Sequence, residues 1–413
     1  MLDRRHATAL LGATLAWPAR AADAVLPFYS AVGQDLTWHG FDTRTGALTT
    51  LGRVRLPSNV QYAWPDPARR FLYVSASFNE PGGLDPDAGG HCIQAFRVGA
   101  DGALTAHGPV VQLKHRPIHN TIDTSGRFLL VAYNLPSGIT VHRINTDGTI
   151  GGEVPQSAPL DTGIYAHQVR AVPGGHTVVL VTRGNDPRPG KAEDPGALKV
   201  FSFQDGKLSN LQSLAPRGRG LGFGPRHLDF GGNHVFVSLE RENSLCVYGL
   251  KGDGSFSAEP LFIKSALTDP GAKAKYPGQT AGPVHVHPNG RFVYQTNRGS
   301  GTTDLGGRKV WNGGLNDIVM WRVDAATGEP TRLQNADAHG FEVRTFSITP
   351  DGRWLIAASQ LGLDVREGGT VRKISAGLAV YRIGTNGRLT FMHKQDVDTS
   401  AGTQFWSGLL TMP

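Results

Sequence analysis

Seven times along the chain a polar residue is followed by glycine and, one residue on, usually by an apolar side chain: Thr45-Gly46, Asp101-Gly102, Asp147-Gly148, Asp205-Gly206, Asp253-Gly254, Thr327-Gly328 and Asn386-Gly387. Glycine is required where a tight hairpin turn demands a positive φ. Between these turns lies a second signature, a turn followed by a strongly β-forming run. It is seen at Arg70-Phe71-Leu72, Arg127-Phe128-Leu129, His176-Thr177-Val178, His234-Val235-Phe236, Arg291-Phe292-Val293 and Arg353-Trp354-Leu355. The period is about fifty to sixty residues, enough for four short strands, and a repeat of that size marks radial or stacked architectures.

The reading is therefore all-β: a seven-bladed β-propeller of four-stranded antiparallel blades. Composition agrees, because 54 Gly and 26 Pro in 413 residues describe a chain that turns often. The apolar run from Phe405 to Met412 has no unit of its own. It is expected to pair beside the segment from Val25 to Ala31 and close the ring, which removes exposed sheet edges.

Residues 1–21 read as a signal peptide: Arg4-Arg5, an apolar run from about Ala9 to Trp17, then Ala19-Arg20-Ala21 as a small-x-small cleavage site. The paired arginines resemble a twin-arginine signal, so the expected location is the periplasm. Residues 22–413 are expected to form one propeller domain. Net charge is +7, but only 18% of residues are charged and the basic ones are scattered, which argues against a nucleic-acid partner. A membrane partner is not expected either, and the chain is read as a monomer. Cys92 and Cys246, the only cysteines, are expected to be buried, unpaired thiols, and two cysteines alone cannot form a thiolate zinc site.

Four-stranded blades impose geometry. The start of each inner strand and the end of each second strand face the same, upper mouth of the ring. At strand starts stand His119, His167, Arg226 with His227, His285 and Arg344; at second-strand ends stand Asn134, Glu240, Arg298 and Gln360. The longest connections, Asn79 to His91, Gly184 to Gly196, Gly299 to Asn316 and Leu361 to Ser375, rise on the same face. Long loops on a rigid scaffold are where binding sites usually lie. Each side chain taken singly could be a satisfied polar residue lining a water-filled channel. As a set they argue for an anionic ligand, since arginines gathered without one repel.

At these residues the chain resembles the seven-bladed lactonase family that includes bacterial 6-phosphogluconolactonase and the fungal carboxy-cis,cis-muconate cyclising enzyme. The resemblance is carried by Gly224-Pro225-Arg226-His227-Leu228 with Glu240, by Ala166-His167-Gln168, and by Val284-His285-Val286-His287 with Asn297-Arg298. Val343-Arg344-Thr345-Phe346 with Ala358-Ser359-Gln360 extends it. It implies His167, Arg226, Glu240 and Arg298 as catalytic residues and His285, Arg344 and Gln360 as substrate contacts; His119 and His227 join the expected substrate contacts by their place at inner-strand starts. It implies no metal and no cofactor.

The expected activity is hydrolysis of a small anionic sugar or enol lactone at the central channel. Arg226 and Arg298 would meet the growing oxyanion, with either His167 or Glu240 as base. The same groups run in reverse would make a muconate-type lactonizing cycloisomerase. A non-catalytic binding propeller remains the alternative from another class and would want an apolar patch on the upper loops, of which only Leu305 and Trp311 give a hint. A calcium-dependent lactonase would want several acidic axial ligands, whereas Glu240 is the only acid in the set. The export segment also separates the chain from cytosolic sugar phosphates, which argues against phosphogluconolactone as substrate.

Overall fold

The computed structural model describes residues 25–78, 89–216, 219–276 and 278–410. The signal-peptide reading of residues 1–21 lies outside them, as does most of the connection from Asn79 to His91. Seven inner strands, Asn59–Pro65, Pro117–Ile122, Ala166–Ala171, Pro225–Gly231, Thr280–Val286, Phe341–Ile348 and Gln404–Leu409, pack side by side around one axis. Each begins a four-stranded antiparallel blade, numbered here one to seven in that order.

In the seventh blade Gln404–Leu409 pairs antiparallel with Val25–Val32, Phe28 opposite Leu409 and Ala31 opposite Trp406. Residues from near the two ends of the chain therefore share a sheet, and no blade is left with an open inner edge.

Apolar side chains do not gather at the centre. They form seven separate clusters, one in each gap between neighbouring blades. The two sequence signatures meet in those gaps. Gly148, at φ +90°, turns the outer hairpin of the second blade directly over the ring of Phe71, which opens the second strand of the first blade. Tyr73 adds a hydrogen bond from its hydroxyl to the Gly148 carbonyl, 2.8 Å. The same arrangement recurs with Gly206 on Phe128, Gly387 on Phe292 and Gly46 on Trp354. Glycine is needed twice over at these turns, for its positive φ and for the close approach of an aromatic ring.

Two of the expected long loops are instead structured. The hairpins Thr302–Leu305/Arg308–Trp311 and Leu363–Glu367/Thr370–Ile374 join through a parallel bridge at Val310 and Asp364, giving an eighth four-stranded sheet beside blades five and six. Trp311 fixes this sheet near the upper mouth: its indole N–H donates to the Gly299 carbonyl at 3.1 Å and its ring packs 5.2 Å from Phe341. Cys92 and Cys246 are buried, in the first and fourth blades, and neither is in a disulfide among the described residues.

Candidate active site

Every inner strand slips by one residue against its neighbour near its start. The extra residue is Gln61, Ile118, His167, Arg226, Arg344 and Phe405 in six blades, and the slip falls across Gly282-Pro283 in the fifth. A β-bulge of this kind re-aims a side chain out of the alternating pattern. Seven bulges at one height therefore set a ring of side chains around the upper end of the axis. In blades three, four and six the bulge follows a left-handed residue two positions earlier: Tyr165 at φ +58°, Gly224 at +47° and Glu342 at +54°.

Second strands supply the partners. Glu240 is clamped on both oxygens, Oε2 accepting from Arg183 Nε and Oε1 from Arg298 Nη2, each at 2.6 Å. Arg298 is itself nearly saturated. Its Nε and Nη2 donate to the Ala281 carbonyl at 3.2 and 3.0 Å, and its Nη1 donates to Glu342 Oε2 at 3.1 Å. Arg183 also donates to Asp186 at 2.6 Å.

Arg226 is different. It is 1% exposed, its Nε lies 3.8 Å from Glu240 Oε1, and both of its Nη atoms are buried with no hydrogen-bond partner among the described residues. Arg344 lies with its guanidinium 3.7 Å from the Phe405 ring centre and forms no ion pair among the described residues. Arg116 donates to Gln61 at 2.8 and 3.1 Å.

The charges are unbalanced, with five arginines facing Glu240, Glu342 and the more exposed Asp186. Burial and the neighbouring Arg298 push Arg226 down to about 9, although Glu240 and Glu342 pull the other way. Burial and the charge of Arg226 likewise push Arg344 well below its ordinary value. Burial alone would raise Glu240, but Arg183, Arg298 and Arg226 outweigh it and hold the carboxyl at about 2, so it is an anion at neutral pH. Burial, with Arg226 among the added charges, keeps His167, His227 and His119 as neutral imidazoles.

Among the residues singled out from sequence, Arg226, Glu240 and Arg298 meet directly. His167 feels the charges of Arg226 and Arg344, and its Nδ1 is buried without a hydrogen-bond partner among the described residues. His227 stands 5.2 Å from His167 between ring centres, and His119 5.9 Å from His227, packed at a tilt against Tyr62 at 3.8 Å. His167 is itself the bulge residue of its strand, whereas His119 and His227 each stand one residue past theirs. Gln360 and Asn134 are buried at the ends of their second strands, and neither Asn134 side-chain atom has a hydrogen-bond partner among the described residues.

His285 does not lie at the start of its strand. It is the penultimate residue of Thr280–Val286, two pairs below the bulge, with Nδ1 3.6 Å from Asp229, whose other oxygen meets Arg170 at 3.3 Å. It faces a separate lower cavity of about 550 Å³ walled by Tyr62, Trp64, Phe346 and Trp406. The bulge in that blade falls on Gly282-Pro283, where a Cβ on Gly282 would strike the Thr296 hydroxyl and lie 3.1 Å from Arg298 Cδ. The fifth blade thus leaves its inner position empty so that Arg298 can enter from the second strand.

Sequence reading missed Arg183, Glu342, Arg116 and Tyr62. Arg183 was within reach, since it directly follows the second strand Thr177–Thr182 as Glu240 follows His234–Leu239. Glu342 precedes Arg344 by two positions, as Gly224 precedes Arg226, but only a backbone angle reveals the equivalence.

The described residues thus form a closed propeller with a cluster of buried arginines and two hydrogen-bonded carboxylates, Glu240 and Glu342, at one mouth of its axis. The chain belongs to the lactonase, 7-bladed beta-propeller family, whose model matches residues 27–366. That membership makes it a lactone hydrolase. It is 29% identical over 361 residues to 6-phosphogluconolactonase of Yersinia pestis, covering 85% of this chain and 89% of that protein. It is 25% identical over 362 residues to the enzyme of the same name from Erwinia tasmaniensis, covering 85% and 93%. The fold is shared with the periplasmic gluconolactonase of Pseudomonas aeruginosa, at a TM-score of 0.69 and 20% identity over 94% of this chain and all of that one.

Proposed function

We propose that the upper mouth hydrolyses a small lactone carrying an anionic substituent. The observation that carries this reading is Arg226, whose Nη atoms are buried without acceptors among the described residues, beside a carboxylate whose oxygens are already taken. Leaving charged donors unmet in a buried site costs several kcal/mol, a cost that a bound oxyanion or carboxylate removes. Arg344 and Arg116 extend the positive field towards such a substituent.

In the reaction a water adds to the lactone carbonyl carbon while Arg226 donates to the oxygen on which charge grows. His167, neutral at pH 7, takes the proton from that water. The ring C–O bond then breaks, and the proton passes to the departing oxygen to leave a hydroxy acid. Of the two bases open from sequence, His167 is favoured. Glu240 at about 2 and bonded on both oxygens is a poor proton acceptor, so it serves to orient Arg226, with Arg183 and Arg298 fixing it in turn.

The chain acts in this reading as a monomer on a diffusible substrate. Export to the periplasm is supported by the Arg4-Arg5 segment and by the periplasmic name of the Pseudomonas aeruginosa relative in fold. The test is proton release by purified protein against sugar lactones, muconolactones and other enol lactones. Saturable opening of at least one anionic lactone is expected; no catalysed opening of any of them would overturn the proposal.

A further inference from the structure

We infer that Glu342 is a positioning residue for the lactone-opening reaction, acting through Arg298; this rests on the function proposed above. Three inner strands enter their bulge through a left-handed residue. The fourth blade uses glycine there, the residue for which that conformation is free, whereas the third and sixth use Tyr165 and Glu342. A side chain in this region carries a cost that glycine avoids. Both exceptions reach an arginine that clamps Glu240. The guanidinium of Arg183 lies 5.8 Å from the Tyr165 ring centre, and Arg298 Nη1 lies 3.1 Å from Glu342 Oε2.

Glu342 is the better placed of the two. Its other oxygen accepts from the Ser300 hydroxyl at 2.8 Å, and its backbone N–H donates to Asn316 Oδ1 at 3.1 Å, so its carboxylate is held at both ends. Asn316 also accepts from the Gly299 N–H at 3.1 Å, tying the residue after Arg298 to the same anchor. Arg298 is thereby gripped by carboxylates from two sides, Glu240 on Nη2 and Glu342 on Nη1. Without Glu342 the guanidinium can swing about its remaining contacts, Glu240 loses one of its two clamps, and Arg226 loses a fixed counter-charge. Displacement of about 1 Å in a reacting constellation can cost on the order of a hundredfold in rate.

The test compares Glu342→Ala, Glu342→Gln, Arg298→Ala and the double variant Glu342→Ala/Arg298→Ala in steady-state lactone opening. Thermal unfolding is followed in parallel, and the Glu342→Ala crystal structure is determined. Glu342→Ala is expected to lower kcat about ten- to a hundredfold with KM changed less than about threefold, and Glu342→Gln, which keeps the acceptor on Arg298, to recover part of that loss. The double variant is expected to be no slower than Arg298→Ala, because a residue acting through another adds nothing once that one is gone. Multiplying losses, or an unchanged kcat in Glu342→Ala, would overturn the inference. So would a Glu342→Ala structure with Arg298 still seated on Glu240, whatever the activity. A wild-type protein that opens no lactone would sink the function proposed above, and the crystal structure would still decide the placement of Arg298.

Discussion

Arg298, the last residue of the second strand of the fifth blade, donates to Glu240, which directly follows the second strand of the fourth, at 2.6 Å, and so ties two blades together at the mouth of the axis. With Arg183 on the other oxygen, the contact keeps Glu240 ionised far below the usual carboxylate range. A carboxyl held at about 2 when folded, against about 4.3 when unfolded, contributes stability that is fully present above the unfolded value and lost as pH falls towards the folded one. The contribution at neutral pH is on the order of 3 kcal/mol. Denaturant unfolding of wild type and Glu240→Gln should therefore differ by a few kcal/mol at pH 7 and converge between about pH 4.5 and 2. A constant gap across that range would contradict the pairing.

The pH profile of turnover should report His167. Burial and the charge of Arg226 push its titration well below 6.5, so kcat/KM is expected to stay level from pH 8 to 6.5 and to fall only in more acid solution, as the imidazole gains a proton. His167→Gln should lose roughly a hundredfold or more and lose the acidic limb with it. An unaltered limb in that variant would remove His167 as the base.

Chelation should leave the rate unchanged. Glu240 has both oxygens bonded to arginine, Glu342 has its two bonded to Arg298 and Ser300, and among the described residues no group of three or more His, Cys, Asp or Glu could hold a metal. Initial rates with and without EDTA are the check, and a loss greater than about tenfold on EDTA, restored by calcium, would point to a cation-assisted site instead.

The gaps between blades carry the stability of the ring. Gly148→Val forces a branched side chain into a φ of +90° and against the Phe71 ring, and should cost on the order of 2–3 kcal/mol. Gly152→Ala, with nothing within 4 Å of the added carbon, should change stability by less than about 0.5 kcal/mol. Chemical denaturation of the two variants side by side measures the difference.

The architecture was legible because its signals are local. Gly148 and Phe71 each announce themselves in the sequence, and their period gives the blade count, although nothing in the chain says that the two touch. The eighth sheet is also within reach of the sequence: Gly306-Gly307 and Gly368-Gly369 each sit between short β-forming runs, the pattern of a tight hairpin, although length alone marks both segments as loops. The site was legible where one residue stands at one structural place, as with Arg226 and Arg298. It failed at His285, because the register slip on Gly282-Pro283 shifts the equivalence by residues that no spacing rule foresees. Glu342 escaped because its role follows from a left-handed backbone angle.

The most direct measurement is kcat/KM for wild type and Arg226→Ala on two lactones of the same ring, one bearing a carboxylate or phosphate and one neutral. The wild type should prefer the anionic lactone, and Arg226→Ala should lose on the order of a hundredfold or more on it while unfolding at close to the wild-type temperature. Equal kcat/KM for the two proteins on both lactones would mean that the unmet guanidinium of Arg226 takes no part in the chemistry.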